Sequence, residues 1–495
     1  MNRPWLNTKI QEEVERRLEQ RFGGDVELKS FTVSFSPTPV VVGEGLRVIR
    51  KGAPLISVRK LTAELGVLGL LRDPLRVSHV SLEGLEIVIS HRGDREPGAP
   101  GRNGKMSQTA DQRDRGEKPD ELAYQFILDQ VDADGTVLRI LPRDPESEPL
   151  EWEMKKLSLQ SAGLAEPMTF QAELTNAKPP GLIGTVGRFG PWNQGDPGGT
   201  PVSGNYRFAD ADLSVFGGIS GHLASEGAYR GQLDRIEVDG TTETPDFTVS
   251  VGGHPVDLTT KFHAIVDGTN GDTELNPVRA HFMDSDIDAR GSVARRDGEV
   301  GKSVRLKIQI EGCPVQDFLY LVLSSTPPPV KGAVTIKTNF ALPPGQQDVV
   351  RRLRLDGSFS IKSAQFASGE TQHKLENLSW RARGRPDQEK DSPQRVASDM
   401  SSDFSLHSGV ASFSGLSFRV PGADVQLNGS HDLESGALAF KGKLRMNATL
   451  SQATGGIKSF FLKLVDPFFK KDGAGAVVPI KIGGTIDDPS FGLDL

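Results

Sequence analysis

Three aspartates at alternate positions, Asp284, Asp286 and Asp288, come closest in type and spacing to a metal site. They match the first half of a calcium-binding loop, whose ligands also lie at alternate positions. Such a loop needs glycine at its sixth position and an acidic residue at its twelfth, where this chain has Ala289 and Arg295. We therefore interpret the three carboxylates as neighbours on the solvent face of a strand, and the sequence predicts no metal site.

The other residues that could act as catalysts show no catalytic pattern. The nine histidines include no pair at a zinc-binding spacing, and the single cysteine, Cys313, has no base near it in the sequence. No serine-nucleophile, nucleotide-phosphate or dinucleotide motif occurs. We predict that the protein is not an enzyme and has no catalytic residue and no cofactor.

The feature that the sequence does repeat is an alternation of apolar and polar residues. In residues 436–450, GALAFKGKLRMNATL, every second residue is apolar or glycine, and the residues between them include two lysines and an arginine. Successive side chains of a strand point to opposite faces, so this segment would have one apolar face and one basic, polar face. Comparable segments, separated by glycine, asparagine or aspartate turns, recur from about Gly135 to Leu450, which is typical of an antiparallel meander.

The composition fits sheets with one face in solvent. Hydrophobic residues make up only 36% of the chain, and glycines inside strands, such as Gly357 and Gly442, indicate sharp curvature. We therefore predict a mainly β fold, built on an elongated, curled antiparallel β-sheet with the form of a groove. The net charge of −7 argues against nucleic-acid binding, because no overall positive field attracts phosphates.

Both ends of the chain carry a helical pattern. Residues 3–24 place apolar side chains four apart and end in two glycines, which predicts an N-terminal amphipathic helix. Residues 451–471 combine an apolar face with flanking lysines and predict a C-terminal amphipathic helix suited to a membrane surface. The residues expected to contact the membrane are Phe460, Phe461, Leu464, Phe468, Lys458 and Lys463. The alternative is that this helix packs against the end of the sheet.

Two internal segments also have helical patterns. The patterns cover residues 119–132 and the residues around Phe318.

Residues 91–120 contain no Leu, Ile, Val or Phe and are predicted to be a disordered linker. The four predicted parts are the N-terminal helix with the first strands (1–90), the linker (91–120), the repetitive antiparallel β groove (121–450), and the C-terminal helix with closing strands (451–495).

The last part of the sequence resembles the C-terminal region of AsmA-like proteins. The residues that carry the resemblance are glycine-spaced strands, SQATGGIKSFFLKLVDPFFKK at 451–471 and PIKIGGTIDDPSFGL at 479–493. Near the N-terminus, VSHVSLEGLEIVI at 77–89 is similar to the same family. The resemblance implies a bacterial envelope protein, related to larger bridge-like lipid carriers, whose curled sheet has an apolar concave face. It implies a periplasmic role in holding or moving phospholipid between the inner and outer membranes.

The same resemblance implies association with the inner membrane. AsmA-like proteins usually begin with a transmembrane anchor, whereas Met1 lies directly before the predicted helix and the sequence has no run of about 18 apolar residues. We therefore expect either an anchor upstream of this sequence or a different means of attachment.

A repeated apolar face suggests which residues would bind lipid. Acyl chains lying against it gain about 0.8 kcal/mol for each buried CH₂ group, and the headgroups stay in water. The expected lining is Leu353, Leu355, Phe359, Ile361, Leu438, Phe440, Leu444, Met446 and Leu450. The expected partners are phospholipid, a membrane surface and envelope proteins. The alternative is a structural or protein-interaction scaffold of the cell envelope, made of closed β-sandwich units without lipid.

Overall fold

A computed structural model of the chain describes residues 8, 11–12, 14–16, 18–19, 24–34, 39–50, 53–64, 76–90, 127–141, 150–162, 167–177, 179–191, 193, 196–249, 252–295, 301–324, 326–345, 347–366, 379–385, 398–448, 475–485 and 489–494. The chain divides into two compact units. The first comprises Met1–Ala209, Glu226–Val238 and Ile265–Gly271, and the second Asp210–Ser225, Asp239–Ala264 and Asp272–Leu495.

The described residues are mainly β, as the alternating pattern predicts. The strands are β1 (Asp25–Glu27), β2 (Ser30–Ser34), β3 (Val40–Arg50), β4 (Ala53–Glu64), β5 (Arg76–Ser90), β6 (Ile127–Leu141), β7 (Leu150–Ala162), β8 (Met168–Ala177), β9 (Pro180–Phe189), β10 (Pro201–Asp212), β11 (Ile219–Ser220), β12 (His222–Gln232), β13 (Arg235–Val249), β14 (Val256–Val266), β15 (Thr273–Phe282), β16 (Ser285–Arg295), β17 (Lys302–Pro314), β18 (Val330–Leu342), β19 (Arg354–Phe366), β20 (Ser398–His407), β21 (Val410–Val420), β22 (Ala423–Asp432), β23 (Leu438–Met446), β24 (Ala476–Gly484) and β25 (Pro489–Leu493). The helical elements with defined bounds are short: α-helices Val315–Val322 and Val349–Arg352, and 3₁₀ turns Pro197–Gly199 and Leu213–Phe216. Residues 379–382 and eight described residues between Thr8 and Glu19 also have a helical backbone.

In the first unit, β1 and β2 both pair with β3, and the pairing then continues in chain order from β3 to β10. These pairs are antiparallel, except that β5 and β6 are parallel. Parallel neighbours need a connection of a dozen or more residues to return the chain to the same end of the sheet, and the stretch between Ser90 and Ile127 is long enough. The prediction of a purely antiparallel sheet is therefore wrong at this pair.

The helix predicted over residues 119–132 is also wrong where the structure describes it. Residues from Ile127 onward belong to β6, which pairs with both β5 and β7. In β6, Val131 and Ala133 are buried and Gln130 is exposed, which is the alternation of a strand. A short apolar run fits both periods, and pairing with two neighbouring strands decides between them. Residues 119–126 lie outside the described residues.

In the second unit, each strand from β15 to β25 pairs antiparallel with the next one in the chain. The sheet is curved and unclosed, and no pairing between β15 and β25 occurs in the described part of the chain. The prediction of a mainly β chain with a curved sheet is confirmed at this level. Helix Val315–Val322 follows β17 directly and confirms the helical pattern around Phe318.

The two predicted terminal helices are not confirmed. Eight described residues between Thr8 and Glu19 have a helical backbone, but the others in that segment are outside the described residues. The predicted C-terminal helix falls within residues 449–474 and the predicted linker is residues 91–120; both lie outside the described residues. No helix in the described ranges is long and apolar enough to cross a membrane.

Glycines on one face of the second unit allow its strands to bend. At Gly442 an added Cβ atom would overlap the carbonyl oxygen of Gln426, and at Gly429 it would overlap that of Ala439. At Gly357 it would overlap the carbonyl oxygen of Lys337. Each overlap is with the backbone of the neighbouring strand, so a side chain at any of these positions would force the two strands apart.

We expect Gly442→Ala to lower the free energy of unfolding by about 1–3 kcal/mol, the usual cost of overpacking. The control is Gly184→Ala in β9, because a Cβ atom there would meet nothing within 4 Å. Urea denaturation of both variants measures the difference. Equal stability of Gly442→Ala and the parent protein would show that the strands do not need this glycine.

Candidate functional site

One face of β17–β24 in the second unit is largely apolar. Residues paired across neighbouring strands lie on the same side of the sheet, so a single row can be followed across eight strands. That row is Ile308, Thr338, Gly357, Phe404, Phe413, Gly429, Phe440 and Ile482. The side chains on this side of β17–β24 are termed the apolar face.

The predicted lipid-lining residues of two separate strands lie on the apolar face. Those that the register places there are Leu355, Phe359 and Ile361 of β19 and Leu438, Phe440, Leu444 and Met446 of β23. Leu353 directly precedes β19 and is half-buried. Leu450 and the six predicted membrane-contact residues are outside the described residues. Lipid binding by all of them stays a prediction.

Phenylalanine rings connect the two predicted groups. The ring of Phe413 lies 6.4 Å from that of Phe359, nearly perpendicular to it, and 5.9 Å from that of Phe440. Phe359 also lies 6.2 Å from Phe404. These centroid distances are within the range of attractive aromatic pairs. Phe404 and Phe413 were not among the predicted lining residues, yet they complete the contact between β19 and β23.

The middle of the apolar face remains partly exposed. Phe359, Phe404, Phe413 and Phe440 are all half-buried, although each lies on the apolar face. The residues between them on each strand, such as Ser412, are exposed on the other side. The apolar side chains therefore shield one another from water without a complete covering layer.

One end of the apolar face is closed by two helical segments. Helix Val315–Val322 places Phe318 and Leu319 on a cluster that includes Ile361, which is 9% exposed. Beside it, Ala382 in the described segment 379–385 packs on a cluster that includes Met446, which is 8% exposed. At this end Ile361 and Met446 therefore contribute to an ordinary packed core.

A buried carboxylate holds the longer helix in place. Asp317 is 2% exposed and accepts hydrogen bonds from the backbone N–H of Asp284 at 3.1 Å and from the Ser285 hydroxyl at 2.8 Å. Asp284 lies in the turn between β15 and β16, and Ser285 is the first residue of β16. The Phe282 and Phe318 rings also meet edge to face at 5.2 Å. The helix that closes the apolar face is thus fixed to a turn more than thirty residues away in the sequence.

The three aspartates with calcium-like spacing have separate structural partners. Asp284 lies in the turn, while Asp286 and Asp288 share the exposed side of β16. Asp286 bonds to His281 at 2.8 Å, and Asp288 lies 3.5 Å from the Arg279 guanidinium. No group of three or more potential metal ligands occurs among the residues that the structure describes.

Histidine–aspartate pairs join neighbouring strands on the polar sides of both units. They are His79–Asp132 at 2.8 Å, His222–Asp246 at 2.9 Å, His263–Asp239 at 2.9 Å and His281–Asp286 at 2.8 Å. These pairs were not predictable from the sequence, because the partners become neighbours only through strand register. Cys313 is 7% exposed, and its thiol donates to the Asp286 carbonyl at 3.4 Å.

We expect the His222–Asp246 pair to stabilise the fold over a bounded pH range. The hydrogen bond with Asp246 raises the pKa of His222, and the same bond lowers the pKa of Asp246. The stability from His222 is lost as pH rises through its raised pKa, and that from Asp246 is lost as pH falls through its lowered pKa. The contribution is therefore largest between the two pKa values.

An NMR titration of His222 in the parent protein and in Asp246→Asn checks this expectation. In the variant, we expect the pKa of His222 to fall toward the ordinary histidine value, because the anionic partner is gone. The His263–Asp239 pair, left intact in both proteins, is the internal control. An unchanged pKa of His222 would mean that the contact has no electrostatic effect.

Comparison with known proteins adds no relative: no protein-family model, no curated protein and no solved structure matches this chain.

Proposed function

We propose that the apolar face binds phospholipid acyl chains along an elongated, groove-like sheet. The observation that supports this most is the partly exposed apolar face that extends across eight consecutive strands, with Phe413 in contact with both Phe359 and Phe440. Contiguous apolar surfaces of this kind are uncommon on soluble proteins and mark binding sites.

The energetics favour an aliphatic guest. Each methylene group removed from water contributes about 0.8 kcal/mol, so a few contacts per strand give useful affinity without directional bonds. The face presents few polar groups in its middle rows, and a headgroup kept in solvent needs no buried partner. Such a site works without a catalytic constellation, a metal or a cofactor.

The cellular role in this proposal follows the resemblance to AsmA-like proteins. We assign the chain to the bacterial periplasm, in association with the inner membrane, as a non-enzymatic protein that binds or conducts phospholipid. In this role it supports outer-membrane assembly and homeostasis.

Mass spectrometry of lipids extracted from detergent-free purified protein tests the proposal. We expect phospholipid to co-purify at a defined ratio to protein and to be displaced by a fluorescent fatty acid. Recovery of no phospholipid, together with no binding of the fluorescent acyl probe, would overturn the proposal and favour an envelope scaffold.

A further inference from the structure

The solvent side of β23 and β24 carries a cluster of basic side chains. Lys441, Lys443 and Arg445 alternate along β23 and are exposed, and Lys481 on β24 is exposed as well. Lys441 and Lys481 lie directly opposite each other in the strand register. Like charges at directly opposed positions destabilise a sheet, so this arrangement costs stability in the free protein.

The charged side chains on the strands of the first unit are arranged differently. There Lys60 lies 3.3 Å from Glu83, and Arg139 contacts Glu86 at 2.7 Å and Glu151 at 3.1 Å. Opposite charges face each other across those strands. The opposed lysines of β23 and β24 therefore differ from these pairs of the first unit, and directly opposed basic residues also occur across β16 and β17, at Arg290 and Lys307 and at Arg295 and Lys302.

Nearby acidic residues neutralise only part of the positive charge. Asp494 contacts Lys441 at 3.0 Å. Asp424 lies opposite Arg445 in register, but it already contacts Arg419 at 3.0 Å. The residues directly opposite Lys443 are Gln426 and Pro479, which carry no charge. Among the residues that the structure describes, an excess of positive charge therefore remains on this side of the two strands.

We propose that this basic surface, defined by Lys441, Lys443, Arg445 and Lys481, docks on a membrane that contains anionic phospholipid. The charges repeat at the strand spacing on an exposed sheet surface, and mobile headgroups can adjust to such a pattern without a shaped pocket. Anionic headgroups would offset the repulsion between Lys441 and Lys481. The lipid-binding face and the docking surface then occupy opposite sides of the same strand.

A membrane fits this surface better than a nucleic acid. The described residues on the basic side of β23 and β24 include no aromatic side chain on which a base could stack. The neighbours of the basic residues there include Ala439, Val477 and Pro479.

Vesicle flotation with Lys443→Gln/Lys481→Gln tests the docking surface. We expect the parent protein to bind vesicles of phosphatidylcholine with phosphatidylglycerol, and to bind vesicles of phosphatidylcholine alone much more weakly. The double variant should partition roughly 25-fold less, since each basic residue contributes roughly fivefold. High salt should weaken binding of the parent protein more than that of the variant.

The matched control is Lys60→Gln/Lys156→Gln in the first unit. It removes the same charge from two lysines that face acidic residues, Glu83 for Lys60 and both Asp134 and Glu173 for Lys156. An equal loss of binding in this control would overturn the proposal, because total charge alone would then explain the effect. Unchanged binding of the Lys443→Gln/Lys481→Gln variant would overturn it too.

Two further measurements complete the test. Lys481→Gln should melt at the same or a higher temperature than the parent protein, because it relieves the repulsion with Lys441. A loss of vesicle binding by this variant would then be a defect in docking and not in folding. Preference for a labelled oligonucleotide over anionic vesicles would overturn the membrane assignment. The inference rests on the proposed function, but acyl-chain binding is read by lipid recovery and docking by flotation, so either can fail alone.

Discussion

Phe413→Asp is expected to reduce the phospholipid that co-purifies with the protein by roughly fiftyfold. Phe413 is the ring that contacts both Phe359 and Phe440, so a carboxylate there interrupts the apolar face at its centre. An acyl chain that avoids the charge loses about three methylene contacts, or about 2–3 kcal/mol. Quantitative mass spectrometry of extracted lipid measures the change.

Two variants of the same strand show whether the apolar face is responsible. Ser412→Asp adds the same charge next to Phe413 but on the exposed side of β21, where its opposed neighbours are Ser405 and Ser430. Phe413→Leu keeps the position apolar. We expect both to retain most of the lipid. Equal lipid recovery from Phe413→Asp and Ser412→Asp, with both variants folded by circular dichroism, would contradict acyl-chain binding at this face.

Alternation within a single strand was predictable from the sequence. The period of two assigns Leu438, Phe440, Leu444 and Met446 to one side of β23, and the register confirms this side by placing Val425 and Val478 opposite Leu444. This works because neighbouring side chains of a strand point to opposite faces whatever the rest of the fold does.

The relation between strands was not predictable in the same way. Phe413 precedes a register shift in β21, where Gly415 adopts a φ of 64° and donates its N–H to the Asn428 side chain at 2.8 Å. A bulge inserts a residue and breaks the period of two, so the segment around Phe413 does not read as one regular strand. The sequence feature that could have indicated this bulge is Gly415, which lies between apolar residues in ASFSGLSF.

Contacts between distant segments were equally hidden. His222 and Asp246 are 24 residues apart, and His79 and Asp132 are 53 apart. The second pair forms across the parallel pairing of β5 and β6, whose direction depends on how the intervening chain returns. Composition and spacing gave no information about either pairing.

Asp317→Ala is expected to lower the free energy of unfolding of the second unit by about 1–3 kcal/mol. The substitution leaves the Asp284 N–H and the Ser285 hydroxyl without their acceptor, and Ser285 is fully buried. Each buried donor without a partner costs about 1–3 kcal/mol. Urea denaturation measures the loss. Hydrogen exchange should locate this loss of stability in helix Val315–Val322. Without the polar anchor, the helix keeps the ring contact between Phe318 and Phe282.

The neighbouring residue provides the control for this anchor. Gln316→Ala changes the same helix at a side chain whose Oε1 atom is buried without a hydrogen-bond partner among the described residues, so we expect little loss of stability or a small gain. Asp317→Asn keeps an acceptor oxygen and should fall between the alanine variant and the parent protein. If Asp317→Ala is no less stable than Gln316→Ala, the carboxylate does not hold the helix.

If the anchor is lost as expected, Ile361 and its neighbours become accessible. The closed end of the apolar face should then bind additional acyl probe.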